Sequence, residues 1–172
     1  MAKGSSWERE VARQISEWGT GRRNPPQLWR SVNSGGWAHG EDRHAGDLTP
    51  NGPWGEWFLS MFAIETKHGY EKDMDFWKLF SQSEPVLWGW WEKIYKEATD
   101  CGKCPILIVK RNYYPALIGF PIDFGVLLPR YVAIGGTIEG VALYHMSELF
   151  ETREPIDFEY GYKEWTTSRA SS

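Results

Sequence analysis

The sequence predicts a mixed α/β domain of α+β type, and three observations lead there. Apolar residues recur at helical spacing in 7–18 and again in 87–98. Shorter runs at 28–32, 56–67 and 105–109 either alternate or stay apolar throughout, as strands do. The chain has 172 residues, 41% hydrophobic and 24% charged, which suits one domain with its own core and is too apolar for a disordered chain. The expected order is helix, three strands, helix, strand, then an irregular β-rich end.

Each element has a local reason. Ser5-Ser6-Trp7-Glu8 reads as a capping box, and Val11, Ala12, Ile15 and Trp18 continue an inward stripe until Gly19 and Gly21 stop the helix. Pro25-Pro26 leads extended chain into a first strand at 28–32, and 33–46 reads as a loop. Asp47-Leu48-Thr49 looks like a second strand, followed by the turn signal Pro50-Asn51-Gly52-Pro53. Over 56–67, Leu59, Met61, Ala63, Glu65 and Lys67 would share one strand face. Ser83-Glu84-Pro85 opens a second helix whose face carries Leu87, Trp88, Trp91, Ile94, Tyr95 and Ala98. The run 105–109 suits a strand buried on both sides, and 116–120, 131–134 and 141–146 suggest further short strands. This divides the chain into a core over 1–112, an extension over 113–166 packed on the same domain, and a frayed tail over 167–172.

Charge and cysteines narrow the functional classes. With 19 basic and 23 acidic residues the net charge is −4, so the protein is no polycation that holds nucleic acid by bulk charge. Seven of the acids lie in 139–164 against Arg153 and Lys163, which leaves the rest of the chain near neutral and open to a local nucleic-acid site. Only Cys101 and Cys104 are present, which fits a reducing cytoplasm. A zinc site on that lone pair would need two further ligands, and His39, His44, His68 and His145 are scattered. No stretch is long and uninterrupted enough to span a bilayer. Trp90 falls off the apolar face of its helix and is expected to be exposed.

Three acidic positions point to one site. Glu8 falls within the apolar stripe of the first helix, so it is either a cap or an inward carboxylate in need of a partner. Glu65 and Lys67, two apart on a strand, share a face and end an apolar row. A hairpin over 50–55 would bring Asp47 alongside Glu65. Two carboxylates and an ammonium would then converge, a set of hard oxygens of the kind Mg²⁺ accepts.

Taken in order, Lys3-Gly4-Ser5-Ser6-Trp7-Glu8-Arg9, Arg30-Ser31, Gly46-Asp47, Glu65-Thr66-Lys67 and the strand at 105–110 resemble the PD-(D/E)xK nuclease superfamily. Within it they resemble the archaeal-type Holliday junction resolvases. The resemblance covers roughly 3–112 and implies a restriction-endonuclease-like core. It implies Glu8, Asp47, Glu65 and Lys67 as catalytic residues, with Mg²⁺ (or Mn²⁺ in its place) held by Asp47, Glu65, Glu8 and the carbonyl of Thr66. Lys67 would orient a water or stabilise charge on phosphorus, and Arg9, Arg30 and Arg43 would contact DNA. The departures are Gly46 where many members have Pro, a long aromatic-rich stretch over 68–104, and an unmatched segment after 112.

The resulting expectation is a Mg²⁺-dependent DNA endonuclease, structure-specific for branched DNA and acting as a homodimer, since paired nicks need two sites. The alternatives are a restriction-like or viral DNA-processing nuclease on ordinary duplex, a catalytically silent nucleic-acid-binding module, and a protein-interaction domain. The expected location is the cytoplasm, including a host's cytoplasm for a virus-encoded enzyme.

Overall fold

The computed structural model describes residues 3–31, 45–69, 86–124, 132–134 and 140–171. In chain order the elements are α1 (Lys3–Thr20), β1 (Leu28–Arg30), β2 (Leu48–Pro50), α2 (Pro53–Met61), β3 (Phe62–His68), α3 (Val86–Asp100), β4 (Cys104–Lys110), β5 (Leu117–Pro121), β6 (Val132–Ile134), β7 (Val141–His145), α4 (Met146–Thr152) and α5 (Pro155–Ala170). β1 and β2 form a small antiparallel sheet, and the other strands form a five-stranded sheet in the order β3-β4-β5-β7-β6. β3 and β4 run parallel and are joined through α3, while the remaining pairs are antiparallel. This mixed sheet is consistent with the restriction-endonuclease-like α+β core that the sequence predicts.

Alternation along the strands sorts their side chains into two cores. Phe62 and Ile64 of β3, with Ile106 and Ile108 of β4, enter a core built with α1, α2, α4 and α5. Ala63, Leu107 and Val109 face the other way, under α3. The six apolar positions of α3 read from its spacing are all buried. The first core is heavily aromatic: Trp18 stacks on Phe150 with ring centroids 4.7 Å apart, and Phe120 on Phe124 at 4.9 Å. Phe158 and Trp165 of α5 belong to the same core, so the end of the chain is built into it.

Several expectations are corrected. α1 begins at Lys3, which puts Ser5 inside the helix rather than at its cap. The helix runs past Gly19 to Thr20 and ends where Gly21, at φ 69°, donates its N–H to the Glu17 carbonyl at 2.7 Å. The supposed strand over 56–67 is a helix up to Met61, with Pro53 in its first turn, and a strand only from Phe62. Pro fits the first helical turn because its missing N–H is not needed there. At Gly55 a side chain would collide with the carbonyl of Gln27, so the helix packs directly on the chain entering β1. The end is not irregular and β-rich: α4 and α5 follow β7, and α5 stays helical to Ala170 rather than fraying from 167. Glu154 and Asp157 form a capping box for α5, with Pro155 in the first turn. Trp90 is partly buried against the α3 core rather than exposed. Arg43, most of the 33–46 loop, the 70–82 stretch and the 83–85 helix start lie outside the described residues.

Candidate active site

The site forms on the outer side of β3, an end strand of the five-stranded sheet. Gly46 bridges Ile64 in the parallel sense, the Asp47 N–H donates to the Ile64 carbonyl at 2.7 Å, and the Ser31 N–H donates to the Asp47 carbonyl at 2.7 Å. Asp47 therefore reaches Glu65 by a parallel contact just before β2. The expected hairpin is replaced by α2, which carries the chain away and back. Gly46 adopts φ 90°, and any side chain there would collide with the backbone of Ile64. That close approach explains the departure noted at this position, because proline cannot reach a positive φ.

The two carboxylates have different partners. Asp47 Oδ2 accepts the Thr66 N–H at 2.8 Å and the Thr66 hydroxyl at 3.4 Å. Glu65 is 1% exposed, and its Oε1 accepts from the ammonium of Lys67 and, at 3.1 Å, from that of Lys93 on α3. The Glu65–Lys67 pair bears out their common strand face. Burial, reinforced by the charge of Glu65, pushes the Asp47 carboxyl up to about 6; the Thr66 N–H and Lys67 pull it down, and Glu8 adds to the rise. Burial lowers the Lys93 ammonium, but Glu65, Glu97 and Asp47 outweigh it and the net shift is upward.

Lys93 was not singled out in the sequence. It lies beside Ile94 at the border of the α3 stripe, and nothing in its spacing separates it from Lys96. Only the packing of α3 over β3 selects it.

Glu8 projects from α1, on the side of the sheet opposite α3. Its Oε2 accepts from Arg30 Nε at 2.8 Å, in a pair with side chains 13% and 28% exposed. The inward reading of Glu8 is thus met by a cation from the end of β1. Arg9 is a half-buried position of α1. Among the described residues, no three or more His, Cys, Asp or Glu side chains gather closely enough to hold a metal ion. The charges of Glu65 and Glu8 both act on Asp47, the former more strongly, and Glu8 is turned to Arg30, so the arrangement is a carboxylate pair with a third carboxylate engaged elsewhere. Cys101 is half-buried and Cys104 is buried at the head of β4, and no disulfide joins them.

The donor chemistry fits a hard divalent cation. Asp47 and Glu65 offer carboxylate oxygens only. The N–H and C=O of one strand residue point to the same side, so the Thr66 carbonyl faces the edge where its N–H meets Asp47. The raised Asp47 carboxyl reflects burial first and the neighbouring charge of Glu65 second, and a bound cation would offset both.

A family model described as "Phage putative PDDEXK endonuclease" matches residues 1–129. No curated protein and no solved structure matches the chain. The match takes in α1, the Gly46-Asp47 segment, Glu65-Thr66-Lys67 and α3, the same parts that build the edge of β3. The chain belongs to this phage family of PD-(D/E)xK endonucleases.

Proposed function

We propose that the protein is a metal-dependent DNA endonuclease that hydrolyses phosphodiester bonds at the outer edge of β3. The observation that carries this reading is the pairing of Asp47 and Glu65 on adjoining segments, with Lys67 on the same strand face as Glu65. Asp47, Glu65 and the Thr66 carbonyl would hold Mg²⁺, or Mn²⁺ in its place, while Glu8 stays turned to Arg30. The ion supplies Lewis acidity toward the scissile phosphate and an acidified water.

The chain's own groups do the rest. Lys67 orients the attacking water and neutralises charge that develops on the phosphate oxygens. Lys93 shares Glu65 with Lys67 and helps hold that buried carboxylate in place. Arg9, Arg30 and Arg43 contact flanking phosphates, with Glu8 fixing the guanidinium of Arg30. A silent binding module would have no use for both carboxylates and their lysine together.

The finer reading is a homodimer acting on branched DNA such as a four-way junction. It rests on the opening Lys3-Gly4…Glu8-Arg9 motif and on the two sites that paired nicks require. No helix of the described residues is long and apolar enough to cross a membrane, and the phage family fits an enzyme working in the host cytoplasm.

The test is a panel of supercoiled, linear, single-stranded and four-way-junction DNA with Mg²⁺, Mn²⁺, Ca²⁺ or EDTA. Cleavage is expected with Mg²⁺ and Mn²⁺, and binding without cutting in Ca²⁺. Robust cleavage in EDTA overturns the mechanism. A strict monomer in light scattering, or equal affinity for junction and linear duplex, rejects the junction reading and leaves the nuclease.

A further inference from the structure

The 111–114 turn breaks two local rules at once without any gain for folding. The Tyr114 N–H closes it on the Arg111 carbonyl at 3.2 Å. Tyr113 sits there at φ 64°, a left-handed conformation that suits Gly or Asn and disfavours a bulky side chain. Asn112, the residue better suited to that conformation, is its immediate neighbour. The Tyr113 side chain is fully exposed at 101%, and Tyr114 is 57% exposed. An aromatic ring held in a disfavoured backbone conformation and turned wholly to solvent stabilises nothing in the fold, and such outliers cluster where a ligand is met.

Its position supplies the ligand class. The turn follows directly on β4, whose last residue Lys110 is abreast of His68 at the end of β3. The Gly69 N–H donates to the Lys110 carbonyl at 3.0 Å, so the two chains stay side by side where the turn begins. Glu65 is paired with Leu107, six residues before Tyr113, which sets the tip within about 20 Å of the carboxylates at strand spacings. Two consecutive cations lead into it. The Lys110 ammonium lies 5.1 Å from the ring centre of Trp7, the residue before Glu8, and the Arg111 guanidinium lies 5.0 Å over the Tyr114 ring. Aromatic rings presented beside fixed cations suit a base and its phosphate.

We propose that the 111–114 turn is a DNA-contacting tip: Tyr113 stacks on an unpaired base, Arg111 holds the adjoining phosphate, and the enzyme thereby favours branched or single-stranded DNA over continuous duplex. This rests on the nuclease reading above. A base inside continuous duplex is already stacked on both faces, so it offers no face to Tyr113.

The experiment measures binding of fluorescent single strand, four-way junction and linear duplex in Ca²⁺, and cleavage of the same DNAs in Mg²⁺. The proteins are the wild type, Tyr113→Ala, Tyr113→Phe, Tyr113→Gly and Arg111→Ala. Tyr113→Ala is expected to weaken single-strand and junction binding about 5- to 100-fold while duplex affinity stays within about twofold. Tyr113→Phe keeps wild-type binding. Tyr113→Gly loses binding like the alanine variant yet melts no lower than wild type, because glycine relaxes the turn, and this separates lost contact from lost fold. Arg111→Ala weakens binding to the same DNAs and flattens their salt dependence. Wild-type behaviour of Tyr113→Ala on every DNA, in a protein that does cleave DNA, overturns the tip and leaves the nuclease standing. Self-association that Tyr113→Ala abolishes, with DNA binding intact, assigns the tip to a second copy of the chain and also overturns the proposal. A wild type that neither binds nor cuts any DNA removes the nuclease reading and the tip with it.

Discussion

Glu65 is almost wholly buried, yet it has two ammonium groups on one oxygen. That redundancy makes the fold tolerant where the chemistry is not. Lys67→Ala is expected to cut cleavage by at least about 100-fold, as loss of a single electrostatic group in an active site does, while its melting temperature stays near wild type because Lys93 still faces the carboxylate. Glu65→Gln should behave in the same way. The Lys67→Ala/Lys93→Ala double variant should be destabilised by more than the sum of the single variants, toward the roughly 3–5 kcal/mol of an unpaired buried charge. Additive thermal shifts would refute that coupling.

Asp47 gives a pH signature of the opposite sign to a salt-bridged carboxylate. Its folded value of about 6 lies above the roughly 3.9 of an unfolded Asp. Folding therefore takes up a proton between those values, and the metal-free protein loses stability as pH rises through about 4 to 6, by on the order of 3 kcal/mol. Asp47→Asn keeps an acceptor for the Thr66 N–H and removes the charge, so it should melt higher than wild type at pH 8 and converge with it near pH 4. Asp47→Ala, which leaves that N–H orphaned, should melt lower than Asp47→Asn. Mg²⁺ should raise the wild-type melting temperature and leave Asp47→Asn nearly unmoved.

At the scale of elements, the edge of β3 depends on a glycine that no catalytic motif names. Gly46→Ala introduces a methyl against the Ile64 backbone at a positive φ, a combination expected to cost about 2–4 kcal/mol. A melting curve and a cleavage assay should both fall, since Asp47 is displaced with its neighbour. An unchanged melting temperature would show that the 45–47 segment relaxes freely.

Much of this level was legible in the sequence, and the misses have distinct physical causes. The α3 face and the Glu65–Lys67 face followed from period alone, whereas period left Glu8 as either a cap or an inward carboxylate. Of the three helices that were missed, α2, α4 and α5, the first and last carry proline in the first turn, Pro53 and Pro155. At 53–61 the apolar residues fit strand and helix periods alike, and Pro53 suits a turn as well as a helix start. At 155–170, Phe158, Gly161 and Trp165 mark a helical stripe that the surrounding acidic and aromatic residues obscure. The Gly46–Ile64 contact and the Lys93–Glu65 pair could not be read, because both arise when distant segments pack.

For the molecule as a whole, the acidic end of the chain is structural. Phe158 is fully buried and Trp165 is 3% exposed, both in the core that also receives α1 and β3. Losing a buried Phe or Trp costs about 3–5 kcal/mol each, against a typical total of 5–15 kcal/mol. A chain truncated after Glu154 should therefore fail to fold cooperatively, with no sharp melting transition and strong binding of a hydrophobic dye. A truncated protein that melts sharply and still cleaves DNA would show α5 to be dispensable.

The stitch of Gly46 and Asp47 along β3 has a second consequence, for the company the protein keeps. An end strand offers unpaired amides and carbonyls to any other strand that drifts by, and this one begins Phe62-Ala63-Ile64. Asp47 takes up that offer twice, its N–H on the Ile64 carbonyl and its carboxylate on the Thr66 N–H. The segment that would ready the molecule to cut a DNA strand also keeps its sheet from recruiting a foreign one, so mutations that loosen it should turn up as aggregates before they turn up as inactive enzyme.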